Sequence, residues 1–293
     1  MNYYSAYGLC IGSEIALPEL ACSKKNTPDI IVRVGTLDID SNQNLTKENE
    51  KNHISGFLNG LARVTIKNGN TIILNPLPGI DNSQLSASVI NGCMAVALRQ
   101  RGYLVLHASS VVVNHKAIAF MGFSGAGKST LAAFFAEKGY RVLTDDVMAI
   151  DLRNNRCHVI PSYPLIKLRQ NSVVALNCGD GNNFDEYDNK YFYSIKPAEI
   201  DMVFPLNKIY VLAIDNYHHI YSLKPQQAFS ELVRHTRAIN LLKSESFMLA
   251  HLEQCSHLID RVSINKFYRK PGFTEFPLLL KLIEQDISLQ PTS

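Results

Sequence analysis

The 293-residue chain has no tryptophan, no Cys-x-x-Cys pair and no low-complexity run. Charged residues make up only 19%, and 29 basic against 26 acidic side chains leave a formal net charge of +3. The basic residues are scattered rather than gathered into a stripe, so the electrostatic footprint of a nucleic-acid binder is missing. The longest apolar stretches, such as Ala117–Phe123, fall far short of the roughly 18 residues of a membrane span. Met1-Asn-Tyr-Tyr has no basic segment leading into an apolar core, which predicts no secretory signal. Six cysteines at 10, 22, 93, 157, 178 and 255 are irregularly spaced, a pattern that predicts reduced thiols and a cytoplasmic location. What remains is 46% hydrophobic residues at a mean hydropathy of −0.03. That balance excludes disordered and fibrous classes and predicts a soluble globular protein.

Three zones follow from periodicity. Residues 1–81 read as a small β-rich domain. Ile30-Ile-Val-Arg-Val, Ala62-Arg-Val-Thr-Ile and Thr71-Ile-Ile-Leu are β-branched runs bounded by turn residues. Lys67-Asn-Gly-Asn-Thr supplies a hairpin turn, and the polar stretch Asp38–Asn52 reads as an exposed connection. Over 82–102 the period changes: Leu85, Val89, Ile90, Cys93, Met94 and Leu98 mark an amphipathic connecting helix closed by Gly102. Residues 103–293 alternate strands with one early helix, Ser129–Lys138, and end in a helical tail from about 225. In that tail Pro225 starts a helix carrying Phe229, Leu232, Val233, Thr236 and Ile239 on one face. A second helix near Ser244–Arg261 puts Met248, Leu252, Cys255 and Ile259 on one side, and a third spans about Glu275–Ile287.

The strongest chemical signal is Gly122-Phe-Ser-Gly-Ala-Gly-Lys-Ser129, a full G-x-x-x-x-G-K-[ST] match between a predicted strand and a predicted helix. Glycines let backbone N–H groups ring a phosphate, and the helix N-terminus adds favourable partial charge. Gly122, Phe123, Ser124, Gly125, Ala126, Gly127, Lys128, Ser129 and Thr130 are therefore the nucleotide-binding candidates. Lys128 serves the β- and γ-phosphates, and the Ser129 hydroxyl serves Mg²⁺. Asp145-Asp146 closes the next strand. In extended backbone neighbouring carboxylates face opposite ways, which suits one to a metal and the other to the proton of an attacking hydroxyl.

Leu106-His-Ala-Ser-Ser-Val, Phe120-Met-Gly-Phe-Ser-Gly-Ala-Gly-Lys-Ser-Thr-Leu and Gly139-Tyr-Arg-Val-Leu-Thr-Asp-Asp-Val resemble the HPr serine kinase/phosphorylase family over about residues 100–290. The resemblance implies an α/β fold with a P-loop core like phosphoenolpyruvate carboxykinase, ATP and Mg²⁺ as cofactors, and a homo-oligomer. By position it implies Asp145 as catalytic base, Asp146 with Ser129 as Mg²⁺ ligands, and His107 beside the phosphoryl site, donating to the phosphate or orienting Asp145. Tyr4-Ser-Ala-Tyr-Gly-Leu-Cys-Ile-Gly-Ser-Glu-Ile-Ala-Leu-Pro-Glu-Leu and Phe229-Ser-Glu-Leu-Val-Arg-His-Thr-Arg resemble the branch encoded with lasso-peptide biosynthesis genes. That branch implies a peptide partner whose C-terminal serine is the acceptor. The family's Glu-Ile-Arg-Gly-Leu-Gly signature corresponds to Lys167-Leu-Arg-Gln here, so Arg169 is kept as a phosphate candidate and reverse phosphorolysis is not expected. A kinase for a small-molecule hydroxyl and a silent ATP-binding scaffold are the competing readings.

Weaker constellations are weighed beside these. Arg234 and Arg237, three apart, share one helical face, and Arg237 is a nucleotide candidate; Lys190 follows a polar loop. The acidic loop Gly179–Lys190 lacks the glycine and glutamate of a calcium loop and reads as a mobile loop. His251 and Cys255 fall on an apolar stripe and read as core rather than zinc ligands. His218-His219 reads as an exposed hairpin.

Overall fold

The computed structural model describes residues 1–36, 47–50, 52–163, 165–178, 184–185, 189–195, 202–242 and 244–288, with backbone alone at 47–50, 83, 184 and 185. The chain is a mixed α/β protein with several sheets. Its first sheet has eight strands: β1 (Asn2–Ala6), β2 (Leu9–Ser13), β3 (Ala21–Cys22), β4 (Ile30–Val34), β5 (Lys47–Glu50), β6 (His53–Leu58), β7 (Ala62–Lys67) and β8 (Thr71–Pro76). Their order is β3-β1-β2-β4-β8-β7-β6-β5. Alternate residues Ile54, Val64, Ile66, Ile72 and Leu74 turn inward, as a period of two requires. Asn68 and Gly69 take positive φ and turn β7 back onto β8, as the hairpin signal implied. The expected connection Asp38–Asn52 is corrected at Lys47–Glu50, which pairs with β6 as the sheet's edge strand; residues 37–46 and 51 lie outside the described residues.

A continuous helical stretch then covers this sheet. It comprises a 3₁₀ turn (Asn82–Leu85), α1 (Ser86–Ser88), a π turn (Val89–Cys93) and α2 (Met94–Gln100). The apolar stripe read from sequence, Leu85 to Leu98, is buried against the strands.

The second sheet carries the site. It contains β9 (Leu104–Leu106), β10 (Ala108–Val113), β11 (Lys116–Met121), β12 (Arg141–Thr144), β13 (Met148–Asp151) and β14 (His158–Ile160). A separate three-stranded piece follows: β15 (Leu165–Leu168), β16 (Phe184–Asp185) and β17 (Lys190–Ser194). Then β18 (Phe204–Ile214), β19 (His219–Ser222) and β20 (Ser263–Arg269) complete the nine strands. β11, β18 and β20 are parallel neighbours, while β10 runs antiparallel to both β11 and β12. Consequently the chain leaves β11, β12, β18 and β20 at one sheet edge, where His107 also enters β10.

Helices cover both faces. α3 (Lys128–Glu137), beside α4 (Gln170–Leu176), shares one face with α7 (Phe276–Ser288). There Ile118 and Phe120 of β11 are fully buried, and the Phe120 and Phe135 rings sit 5.5 Å apart. α5 (Pro225–His235) and α6 (Glu245–Ile259) cover the other face, onto which Ala117, Ala119 and Met121 alternate.

Several expectations about the tail are corrected. It is not wholly helical: β20 runs through the sheet between β18 and β19. α5 stops at His235, so Arg237 leaves the helix and does not share a face with Arg234. On α6 the buried residues are His251, Cys255 and Leu258, whereas Met248 and Leu252 are exposed. The reason is that the sheet accepts the His251 side of the helix, where Thr236 Oγ1 lies 2.9 Å and Cys255 Sγ 3.4 Å from the imidazole. His218 is not exposed either: its side chain is tucked away with Nε2 2.7 Å from Glu275.

Two buried imidazoles make stability depend on pH. Burial pushes His251 down to about 4, and burial, partly opposed by Glu231, pushes His235 down to about 4. The unfolded chain takes up these protons near pH 6.5 while the folded one resists, so stability is full above that pH and declines as pH falls toward 4. Each contributes on the order of 2–3 kcal/mol. Thermal unfolding between pH 7 and 4.5 should show the decline, and His251→Gln should make it shallower.

Candidate active site

β11 ends at Met121 and α3 begins at Lys128, so the six residues between form the loop. Gly125 and Gly127 have φ of 84° and 92°, conformations that cost little only without a Cβ. Gly127 is the N-cap of α3 and no side chain caps the first turn, leaving backbone N–H groups for an anion. Lys128 is buried, and its Nζ donates to Gly122 O at 2.8 Å and Phe123 O at 3.2 Å, bridging the start of the loop. Burial lowers its pKa, opposed by the charges of Asp145 and Asp146.

The two carboxylates lie just past β12, not on it. Asp146 has a φ of 68°, a left-handed turn that aspartate tolerates better than most residues. The extended alternation expected from sequence is therefore replaced by a bend, which still sends the carboxylates to different surroundings. Asp145 is 4% exposed and accepts from Ser109 Oγ at 2.5 Å, from the Ser129 hydroxyl and, at 3.4 Å, from the Lys167 backbone N–H. Burial raises its pKa, these bonds notwithstanding. Asp146 lies 2.8 Å from His107 Nε2 and forms an ion pair with Arg237, whose Nε also donates to the Asp146 carbonyl at 3.2 Å. Burial alone would raise this carboxyl too, but the His107 hydrogen bond and the Arg237 charge hold it below the carboxylate range.

Main-chain bonds deliver those partners. His107 N–H donates to His235 O at 2.8 Å, and Arg237 N–H to Val105 O at 2.9 Å. The end of α5 is thus stitched along the end of β9, which sets Arg237 over Asp146.

A cavity of about 300 Å³ opens onto this edge. Ser124, Gly125 and Gly127 to Thr130 of the loop line it, as do His107, Asp146, Arg169 and Lys190. Among the described residues its lining cations are Lys128, Lys167, Arg169, Lys190 and Arg269, around the single carboxylate Asp146. Such a lining favours a polyanion. The Ser129 hydroxyl lines the cavity as a hard oxygen that fits Mg²⁺, with Asp145 buried behind it and bonded to it, and no group of three or more His, Cys, Asp or Glu gathers among the described residues. A magnesium ion here would complete its shell with water and phosphate oxygens.

Of the residues singled out from sequence, Gly122, Phe123 and Ala126 shape the loop without lining the cavity. Phe123 points outward, 62% exposed, edge-on to His235 with the Arg234 guanidinium 5.8 Å above it. Thr130 faces Ser172, hydroxyl to hydroxyl at 3.0 Å. Most of the loop Gly179–Lys190 lies outside the described residues. Sequence reasoning missed Ser109, which fixes Asp145, and Arg269 with Phe273 in the cavity wall. An arginine closing the half-apolar run Ile264–Arg269 was the available signal.

No protein-family model matches the chain, and no curated protein matches it. Among solved structures, that of the HPr(Ser) kinase/phosphatase from Coxiella burnetii is similar at 12% identity and a TM-score of 0.34, covering 63% of this chain and 90% of that one. A likeness that faint carries no weight in reading the site, which rests on the geometry above.

The loop itself is testable. A Cβ at Gly127 would stand 2.4 Å from Arg269 Nη2, at a φ that side chains resist. Gly127→Ala should cost roughly 1–2 kcal/mol from the backbone conformation alone, more with the clash. Urea unfolding of Gly127→Ala with and without Arg269→Ala separates the two, because only the clash is relieved in the double variant.

Proposed function

We propose that this chain is an Mg²⁺·ATP-dependent kinase that transfers the γ-phosphoryl group to a serine-type hydroxyl, the acceptor being the C-terminal serine of a ribosomally made precursor peptide. The observation that carries the kinase reading is the meeting, at one sheet edge, of an uncapped helix N-terminus with two adjacent carboxylates in different surroundings, one buried and one paired with His107 and Arg237. Phosphoryl transfer needs little covalent chemistry from a protein; it needs charge placed in advance and a hydroxyl held in line.

Backbone N–H groups of residues 124–129 hold the phosphate chain, and Lys128 offsets charge on the oxygens of the transferring group. Bound Mg²⁺ would neutralise charge on the phosphates; the Ser129 hydroxyl, oriented by its bond to Asp145, would hold it. Asp145 is too buried to reach an acceptor. Asp146 lines the cavity, so it is the carboxylate we assign to the acceptor hydroxyl, the reverse of the division implied by resemblance. His107 and Arg237 keep it ionised and fix its orientation, and it takes the hydroxyl proton as the hydroxyl oxygen bonds to the γ-phosphorus and that phosphorus parts from the β–γ bridging oxygen, which leaves with ADP. Lys167, Arg169 and Lys190 suit an acceptor with a negative charge near its hydroxyl, which a peptide ending in serine has in its terminal carboxylate.

Incubation with Mg²⁺·ATP and a serine-terminated peptide, followed by intact mass, should show one added phosphate. Asp146→Asn should lower transfer by about 10²–10⁴-fold and leave ATP binding in place. Asp145→Asn should instead weaken the Mg²⁺ dependence of ATP affinity; the opposite pattern would restore the resemblance-based roles. Lys128→Ala should slow transfer by 10²-fold or more. ATP bound but intact with every peptide, and consumed with small alcohols, would point to a small-molecule acceptor.

A further inference from the structure

The cavity has a second end that the phosphoryl chemistry does not use, and Arg269 stands where it begins. Arg269 is 7% exposed, and its guanidinium donates to Ala126 O at 2.6 Å and Lys270 O at 3.3 Å. None of the ion pairs among the described residues includes it. A buried guanidinium with two carbonyl partners and no counter-charge is costly unless an anion completes it. It borders the cavity beside Gly127, at the far side of the loop from Asp145 and Asp146.

Topology supplies the direction. Along the edge the order is β12, β10, β11, β18, β20. The carboxylates follow β12 on one side of the loop, and Lys167 and Arg169 belong with them through the Lys167 bond to Asp145. A nucleoside triphosphate with its last phosphate at that side must run the other way, over the ends of β18 and β20. Ligands of open parallel sheets lie beyond such carboxyl ends. There the lining is Ile214, Pro271, Gly272, Phe273 and Phe276. Ile214 is 59% exposed at the end of β18. The Phe273 ring is half-buried and sits 5.7 Å from Phe276, which is itself 5.4 Å from Phe134 of α3. An aromatic chain rooted in the loop's own helix therefore fixes Phe273 at the cavity wall. Arg269 aside, none of these described lining residues carries a polar side-chain atom; the polar Asn171 and Ser172 of α4, which also line the cavity, belong with Thr130 of the loop's helix, 3.0 Å from Ser172.

Building on the nucleotide reading above, we propose that this end is the nucleoside subsite: Arg269 pairs with the phosphates nearest the nucleoside, and Phe273 with Ile214 holds a purine base by stacking and apolar contact. A base held without side-chain hydrogen bonds is poorly discriminated, so ATP and GTP should bind within about tenfold of each other.

Isothermal titration of the full chain with Mg²⁺ complexes of ATP, GTP and inorganic tripolyphosphate tests this. Phe273→Ala should weaken ATP and GTP by about tenfold or more, as loss of base–aromatic stacking does, and leave tripolyphosphate unchanged. Phe273→Trp should retain nucleotide affinity, which controls for a disturbed fold. Arg269→Gln should weaken all three ligands. Unchanged ATP affinity in Phe273→Ala, or loss of tripolyphosphate in parallel with ATP, would overturn the subsite. A preference of more than a hundredfold between ATP and GTP would overturn recognition by stacking. Wild-type protein that binds tripolyphosphate as tightly as ATP would remove the subsite yet keep the phosphate loop; binding of none of the three would remove the nucleotide reading itself.

Discussion

The parallel pairing of β11 with β18 is the contact on which the rest of the site depends. It opens the loop after β11 at the same edge as the ends of β18 and β20. The antiparallel neighbours β10 and β12 return His107 and the two aspartates to that edge from the other side. Ladder hydrogen bonds fix this arrangement before any side chain acts. The fully buried alternation of β11, Phe120 one way and Met121 the other, then locks the sheet between its helices.

On that scaffold, electrostatics separates two chemically identical neighbours. Asp145 and Asp146 are adjacent in sequence, yet one is pushed toward its neutral form by burial while the other is held ionised by His107 and Arg237. The left-handed turn at Asp146 makes this possible, because it aims the second carboxylate toward the end of α5. Two side chains of one type thus acquire two characters from their surroundings alone.

Local features of this design were legible in the sequence. The loop was, because its glycines and its strand and helix flanks are all contained within about twenty residues, as was the β7–β8 turn at Asn68-Gly69. Arg237 was singled out as a nucleotide contact, whereas its ion pair is with Asp146, a link that spans 91 positions and depends on where α5 ends. β20 escaped notice because buried Asn265 and partly buried Lys266 interrupt its apolar signal. Lys266 finds its partner across the fold, in Glu231 of α5, and Asn265 accepts from Ser222 of β19 as well as from Ser263 on its own strand. With β20 unseen, Arg269 had no strand end to occupy. Exposure along α6 was likewise not a local property, since its apolar residues surround the helix and the sheet decides which of them are covered.

The front sheet meets the core across a shared apolar cluster and at one buried turn. Tyr7, at a φ of 56°, donates its hydroxyl to Val147 O at 3.3 Å, and its N–H to Pro161 O at 3.0 Å. Val147 is the residue after Asp146. The wall of the bend that carries the acidic pair is therefore built by the other sheet, and the Tyr7 ring is sealed at that seam. Cutting the chain after the front sheet would strip the Pro161 carbonyl of its donor, leave Val147 O to Thr144 Oγ1 alone, and open a hole beside the core's most sensitive turn.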